Sequence, residues 1–229
     1  AAYFPEERTI VTGTPIREAF LHPRPLSGFT EKKPLIFITG GSLGAHAINT
    51  LVEGTLEPLL EKYLVIHQTG DAQEYQDYDR LQKRREDLPG ALQKRYRLEK
   101  FLKPEEMAGV FKEASLIISR AGMSTIMEIL YFEKPVLFIP LPHGQRGEQM
   151  ENASFMCSLG LARVKKQEDL TPETLYTEIE EMMAELSSYT LQKNIQPIIE
   201  KHAAEKIITV VLGVAQKLLK TPNQEEKLT

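Results

Sequence analysis

At 229 residues, 41% hydrophobic and 26% charged, the chain has the composition of one large globular domain or two small ones, which excludes a disordered, collagen-like or rod-forming chain. Its 28 Lys and Arg stand against 32 Asp and Glu, a formal net charge of -4, so no basic face and no nucleic-acid partner are expected. The single cysteine, Cys157, excludes an internal disulfide and a cysteine zinc cluster, makes the cytoplasm the expected compartment, and reads as a core residue.

The opening AAYFPEERTI has no basic segment followed by an apolar one, so no signal peptide is expected. A start at Ala1, without methionine, reads as the start of a fragment. Residues 1–34 carry Pro5, Pro15, Pro23, Pro25 and Pro34 and read as an extended interdomain linker and lead-in, because proline excludes helix from its predecessor. From residue 35, apolar runs at 35–39, 63–68, 96–102, 116–119 and 136–140 alternate with helical patterns at 44–61, 104–114, 124–132 and 147–159. Unbroken apolar runs predict strands buried on both faces, and the alternation predicts an α/β fold with a doubly wound parallel sheet. Residues 71–95 interleave acids and bases and read as a solvated helix and loop. After Leu170 only helices are expected, near 172–187, 190–203 and 204–219, closing a domain over 35–220 before a polar tail at 221–229. The apolar stretch 207–215 is shorter than the roughly 20 residues that span a bilayer, and is expected to pack on the domain.

Three motifs carry chemistry. Gly40-Gly41-Ser42-Leu43-Gly44-Ala45 follows the first strand, with Ser42 expected to cap a helix beginning near Leu43. N–H groups at such a helix start suit an anion. The spacing is neither Gly-x-Gly-x-x-Gly nor a P-loop, and alone it fits a capped turn as well as a phosphate cradle. Arg120-Ala121-Gly122-Met123-Ser124-Thr125 repeats the design after the fourth strand and opens a helix bearing Glu128. Two such loops at one sheet edge define the crevice where ligands of open α/β sheets bind. Thr125-x-x-Glu128 matches a capping box, and on this helix alone the cap is favoured over a carboxylate accepting two ribose hydroxyls. Pro140-Leu141-Pro142-His143-Gly144 then leads to Gln149 and Asn152, three apart on one helix face, where paired amides suit a polyhydroxylated sugar. In isolation an ordinary polar face is the simpler reading. None of the five histidines pairs at metal-ligand spacing, so no metal is expected.

Taken in order, Thr12-Gly13-Thr14-Pro15-Ile16-Arg17, GGSLGA, SRAGMSTIMEI and PLPHGQRGEQMENA resemble the C-terminal half of the MurG family, the UDP-N-acetylglucosamine–N-acetylmuramyl-(pentapeptide) pyrophosphoryl-undecaprenol N-acetylglucosamine transferases of peptidoglycan synthesis. The resemblance spans about residues 3–161 and continues weakly beyond. It implies the Rossmann-like donor domain of a two-domain GT-B glycosyltransferase, which moves N-acetylglucosamine with inversion from UDP-N-acetylglucosamine to undecaprenyl-pyrophosphoryl-N-acetylmuramyl-pentapeptide (lipid I to lipid II). No cofactor is implied, since main-chain N–H groups can stabilise a diphosphate leaving group without metal. By the same resemblance, Gly41, Ser42, Leu43 and Gly44 lie by the diphosphate, and the backbone at Phe101 and Leu102 meets the uracil. Glu128 holds the ribose hydroxyls, while Arg120, Ala121, Gly122, Met123, Ser124 and Thr125 lie against the sugar and diphosphate. Gln149 and Asn152 contact the N-acetylglucosamine, and Arg17 approaches a phosphate.

The general base, the lipid-linked acceptor and peripheral attachment to the cytoplasmic face of the membrane are expected of a preceding domain, so no catalytic residue is assigned here and His143 is read as a loop residue. Leu43 stands where the family often has Gln, and Glu148 where it has His or Gln, which would place an unhelpful charge beside a diphosphate sugar. The alternatives are a stand-alone nucleotide-sugar binding subunit of another lipid-linked transferase, a UDP-N-acetylglucosamine 2-epimerase-like domain, and a binding module without chemistry.

Overall fold

In the computed structural model, which describes residues 5–142, 147–192 and 202–220, six parallel strands form one sheet. They are β1 (Leu35–Thr39), β2 (Leu64–Gln68), β3 (Tyr96–Glu99), β4 (Leu116–Ser119), β5 (Val136–Phe138) and β6 (Ala162–Val164), in the order β3-β2-β1-β4-β5-β6. The chain winds outward from β1 to β3, returns, and winds outward again from β4 to β6. The reversal between β1 and β4 is a topological switch point, where strand C-termini frame a crevice. The doubly wound α/β architecture expected from the alternation is the one observed.

Burial explains why the central strands read as unbroken apolar runs. Every residue of β1, β2, β4 and β5 is buried. Ile36 and Ile38 of β1 share a core with Ile48, Val52, Leu56 and Leu59 of α2 (His46–Lys62) and with Leu175, Ile179 and Met182 of α8 (Pro172–Ala184). Phe37 points to the opposite face, as alternation along a strand requires, and meets Phe111 of α5 (Pro104–Glu113) at 5.3 Å between ring centroids. Each such buried side chain contributes about 1.5–3 kcal/mol.

Four differences from the sequence reading have physical causes. The proline-rich lead-in is not wholly extended: α1 (Glu18–Leu21) inserts Phe20, fully buried, edge-on against Phe111 at 5.4 Å. Residues Arg17–Lys193 accordingly form one compact unit. Strand β6 escaped notice because its three residues are only half-buried, so no apolar run marks it. The polar stretch 71–95 holds two helices, α3 (Asp77–Glu86) and α4 (Gly90–Gln93), with Arg80 and Arg84 of α3 paired to Glu53 and Glu57 of α2. Cys157 is exposed on α7 (Glu148–Ser158), not core.

The second unit comprises Ala1–Ile16 and Asn194–Thr229 and contains α9 (Ala203–Lys220). Its Ile208, Val211, Leu212 and Val214 are exposed. Most of the expected helix 190–203 and the tail 221–229 lie outside the described residues. Among the described residues no helix is long and apolar enough to cross a membrane.

Candidate functional site

The first glycine turn leaves β1 at the switch point. Gly41 and Gly44 take φ of 86° and 80°, a left-handed conformation that side chains rarely tolerate. At Gly44 space is short as well, since a Cβ would stand 2.2 Å from the Thr69 carbonyl oxygen. These conformations hold the chain in a turn until Ala45, so α2 begins at His46. Ser42 sits exposed in the turn and does not cap the helix, contrary to expectation; among the described residues no side chain does. Among the described residues the first-turn N–H groups of α2 therefore lack a side-chain acceptor, the arrangement that suits a phosphate. Leu43 is 83% exposed at the tip of the turn.

A buried network fastens this helix start. Asp77 of α3 accepts from Asn49 Nδ2 at 2.7 Å and faces His46 Nδ1 at 2.8 Å. Asn49 Nδ2 also reaches the Thr69 carbonyl, so Asn49 Oδ1 must accept from His67 Nε2 at 2.9 Å. His67 Nδ1 then accepts from the Tyr96 hydroxyl at 3.0 Å. Burial pushes the His67 pKa down to about 3, so the ring is neutral, as this tautomer requires. Nothing in the local sequence marks these residues, which lie up to 50 positions apart, from His46 to Tyr96, and come from α2, β2, α3 and β3.

The second turn leaves β4 and opens α6 (Met123–Phe132) at Gly122, again without a side-chain cap. Thr125 lies inside the helix, so the capping box is not formed. Glu128 is instead nearly buried and accepts from Arg17, at 2.7 Å from Nε and 2.6 Å from Nη2. Burial raises the Glu128 pKa above the ordinary carboxylate value, and the Arg17 guanidinium opposes that rise. Arg17 is itself steered by Phe20, whose ring lies 4.7 Å from the guanidinium carbon.

Arg120 turns to the neighbouring loop. One terminal nitrogen donates to the Ile139 and Pro140 carbonyls at 2.8 and 3.0 Å, and the other to Gln167 Oε1 at 2.6 Å. Ala121 is buried, Gly122 half-buried, and Met123 and Ser124 exposed at the helix start. Asn152 of α7 donates to the Ala121 carbonyl at 3.1 Å, and Gln149 Oε1 accepts from Leu141 N–H at 3.0 Å. Among the described residues this leaves Gln149 Nε2 and Asn152 Oδ1 for a ligand. Glu148 is exposed, and His143 and Gly144 lie outside the described residues. Beyond β3, Phe101 is 51% exposed, while the Leu102 N–H is taken by Gln68 Oε1 at 2.9 Å. Gln68 and Thr39 are the site-edge polar groups that the sequence did not mark.

The expected site residues after β1, β4 and β5 thus gather along the C-terminal edge of one sheet, with Glu128 and Arg17 joined beside the second turn. Residues 35–211 match the Glycosyltransferase family 28 C-terminal domain. The chain belongs to that family. Among curated relatives, the UDP-N-acetylglucosamine–N-acetylmuramyl-(pentapeptide) pyrophosphoryl-undecaprenol N-acetylglucosamine transferase of Treponema denticola is 31% identical over 95% of this chain and 57% of its own length. The enzyme of the same name from Clostridium kluyveri is 33% identical over 90% of this chain and 56% of its own. This family 28 chain therefore spans little more than half the length of the curated relatives it matches. Among solved structures, Acinetobacter baumannii MurG superposes with a TM-score of 0.63 at 27% identity, over 92% of this chain and 57% of that one. The S. aureus MnaA–UDP co-structure, with a TM-score of 0.56 at 14% identity, shares the fold.

Proposed function

We propose that this chain is the donor-binding part of an inverting transferase that carries N-acetylglucosamine from UDP-N-acetylglucosamine to undecaprenyl-pyrophosphoryl-N-acetylmuramyl-pentapeptide, at the cytoplasmic face of the membrane. The observation that carries the reading is Glu128, a nearly buried carboxylate without a structural cap to form, beside the β1/β4 switch point. A carboxylate there can accept both hydroxyls of a ribose diol. The uncapped first turns of α2 and α6 offer main-chain N–H groups to a diphosphate, and as UDP leaves they stabilise its growing charge without metal. The amides of Gln149 and Asn152 are suited to the sugar hydroxyls. The general base, the acceptor groove and the membrane contact are assigned to the part of the relatives' length that this chain does not span. Orienting the attacking hydroxyl accounts for about 7–11 kcal/mol of such a barrier, so the chain alone is expected to bind donor without transferring sugar.

Titration calorimetry with UDP and UDP-N-acetylglucosamine in the presence of a metal chelator tests the reading. Binding of both ligands is expected. Folded protein that binds neither at millimolar concentration would overturn it, and robust transfer to the lipid acceptor by the 229-residue chain would overturn the assignment of the base.

A further inference from the structure

Thr39 and Gln68 end the adjacent strands β1 and β2 and are register partners. Both are 4% exposed, so their polar atoms must be satisfied within the protein. The Leu102 N–H donates to Gln68 Oε1 at 2.9 Å, which turns Gln68 Nε2 toward Thr39, where it donates to Oγ1 at 3.3 Å. The Gly41 N–H donates to the same Oγ1 at 3.1 Å. An unbroken path of three hydrogen bonds therefore runs from the loop after β3 to the glycine turn after β1, beneath the crevice.

A brace of the sheet alone would not need this chemistry, since an apolar pair of similar shape at two buried strand ends is close to neutral for stability. What a hydroxyl and an amide add is a fixed orientation of two loop N–H groups that belong to no strand ladder. Gly41 has φ of 86° and the adjoining Leu43 is exposed; the turn is closed by the Gly44 N–H on the Gly41 carbonyl at 3.2 Å, and the Thr39 hydroxyl fixes the remaining Gly41 N–H. Across the crevice the Leu102 side chain is buried, next to the half-exposed Phe101, and its N–H is fixed by Gln68.

We propose that Thr39 and Gln68 are positioning residues that tie the conformation of the base-side loop at Phe101 and Leu102 to that of the phosphate-side turn at Gly41, so that a nucleoside diphosphate meets both loops in one preset arrangement. This rests on the reading of the crevice as a UDP-sugar site. The coupling itself is a property of the chain without ligand.

Amide hydrogen exchange on the unliganded 229-residue chain tests the coupling, with Thr39→Val, Gln68→Leu and Thr39→Ser. In Thr39→Val, the Leu102 amide, which Thr39 does not touch, is expected to exchange about tenfold faster, the factor that about 1.4 kcal/mol represents. Gln68→Leu should loosen the Gly41 amide in the same way, and Thr39→Ser, which keeps the hydroxyl, should restore both. Changes confined to the amide that each side chain contacts would overturn the proposal. In calorimetry with UDP, each of Thr39→Val and Gln68→Leu should weaken binding about tenfold, with the double variant no weaker than the worse single one, because either break severs the same path. Losses that multiply, or unchanged UDP affinity with a lowered melting temperature, would reduce the pair to a brace of the fold. A wild-type chain that bound no UDP would refute the donor reading, while exchange at Leu102 would still decide the relay.

Discussion

Arg17 and Glu128, 111 residues apart in the chain, meet at a single carboxylate oxygen, Oε1, with contacts of 2.7 and 2.6 Å. Both donors use that one oxygen, and Oε2 has no partner among the described residues. The pair binds the lead-in segment to the second glycine turn, and the guanidinium opposes the rise in pKa that burial causes at Glu128.

Replacement of Glu128 by Ala is expected to weaken UDP binding by about 1.5–3 kcal/mol, the range for hydrogen bonds to a charged group. The melting temperature should fall only by the loss of the Arg17 ion pair, because no helix cap is lost. Calorimetry and thermal unfolding on the same variant separate the two effects. Unchanged affinity with a lowered melting temperature would return Glu128 to a structural role.

If Glu128 holds the donor as proposed, the same pair should make donor binding sensitive to acid. Burial raises the Glu128 pKa from 4.5, so protonation begins to remove the acceptor at a higher pH than for a free carboxylate, and UDP affinity should fall as pH is lowered through that raised value. Arg17→Ala removes the opposing influence and should shift the fall in affinity to higher pH. In Glu128→Gln this titration should vanish. A pH series of UDP titrations reads all three; identical profiles for the wild type and Arg17→Ala would refute the coupling.

The two left-handed glycines of the first turn should respond differently to alanine. Gly41 has open space, so Gly41→Ala bears only the strain of positive φ, about 1–2 kcal/mol. Gly44→Ala bears that strain and also a Cβ 2.2 Å from the Thr69 carbonyl oxygen, which is backbone and cannot step aside. Chemical denaturation should therefore show a clearly larger loss for Gly44→Ala, accompanied by loss of UDP binding. Equal losses would show that the turn readily rearranges.

His67 predicts a slope in stability. Its folded pKa of about 3 lies below the 6.5 of the free side chain, so the unfolded chain binds a proton that the native one refuses. The stability is whole above pH 6.5 and is lost as pH falls from there toward 3, at up to about 1.4 kcal/mol per pH unit. His67→Gln should flatten this part of the profile, measured by denaturant unfolding between pH 7 and 5. A wild-type profile already flat over that range would mean that the ring is protonated in place.

The doubly wound sheet was legible because burial on both faces removes the usual alternation, leaving unbroken runs such as Leu35–Thr39 and Leu116–Ser119. The glycine turns were legible because positive φ at Gly41 and Gly44 admits few other residues. Strand β6, half-buried and three residues long, left no such trace. Two expected caps are not formed: Ser42 and Thr125 have the spacing of caps, yet the left-handed turn delays α2 to His46, and α6 starts early enough to swallow Thr125. The partners of Glu128, of Gln68 and of Asp77 were decided by the tertiary structure alone. Each lies on another element, and a hydrogen bond depends on where two side chains end up within about 3 Å of one another. Local spacing fixes turns and periodicity, but only the packed sheet sets that distance.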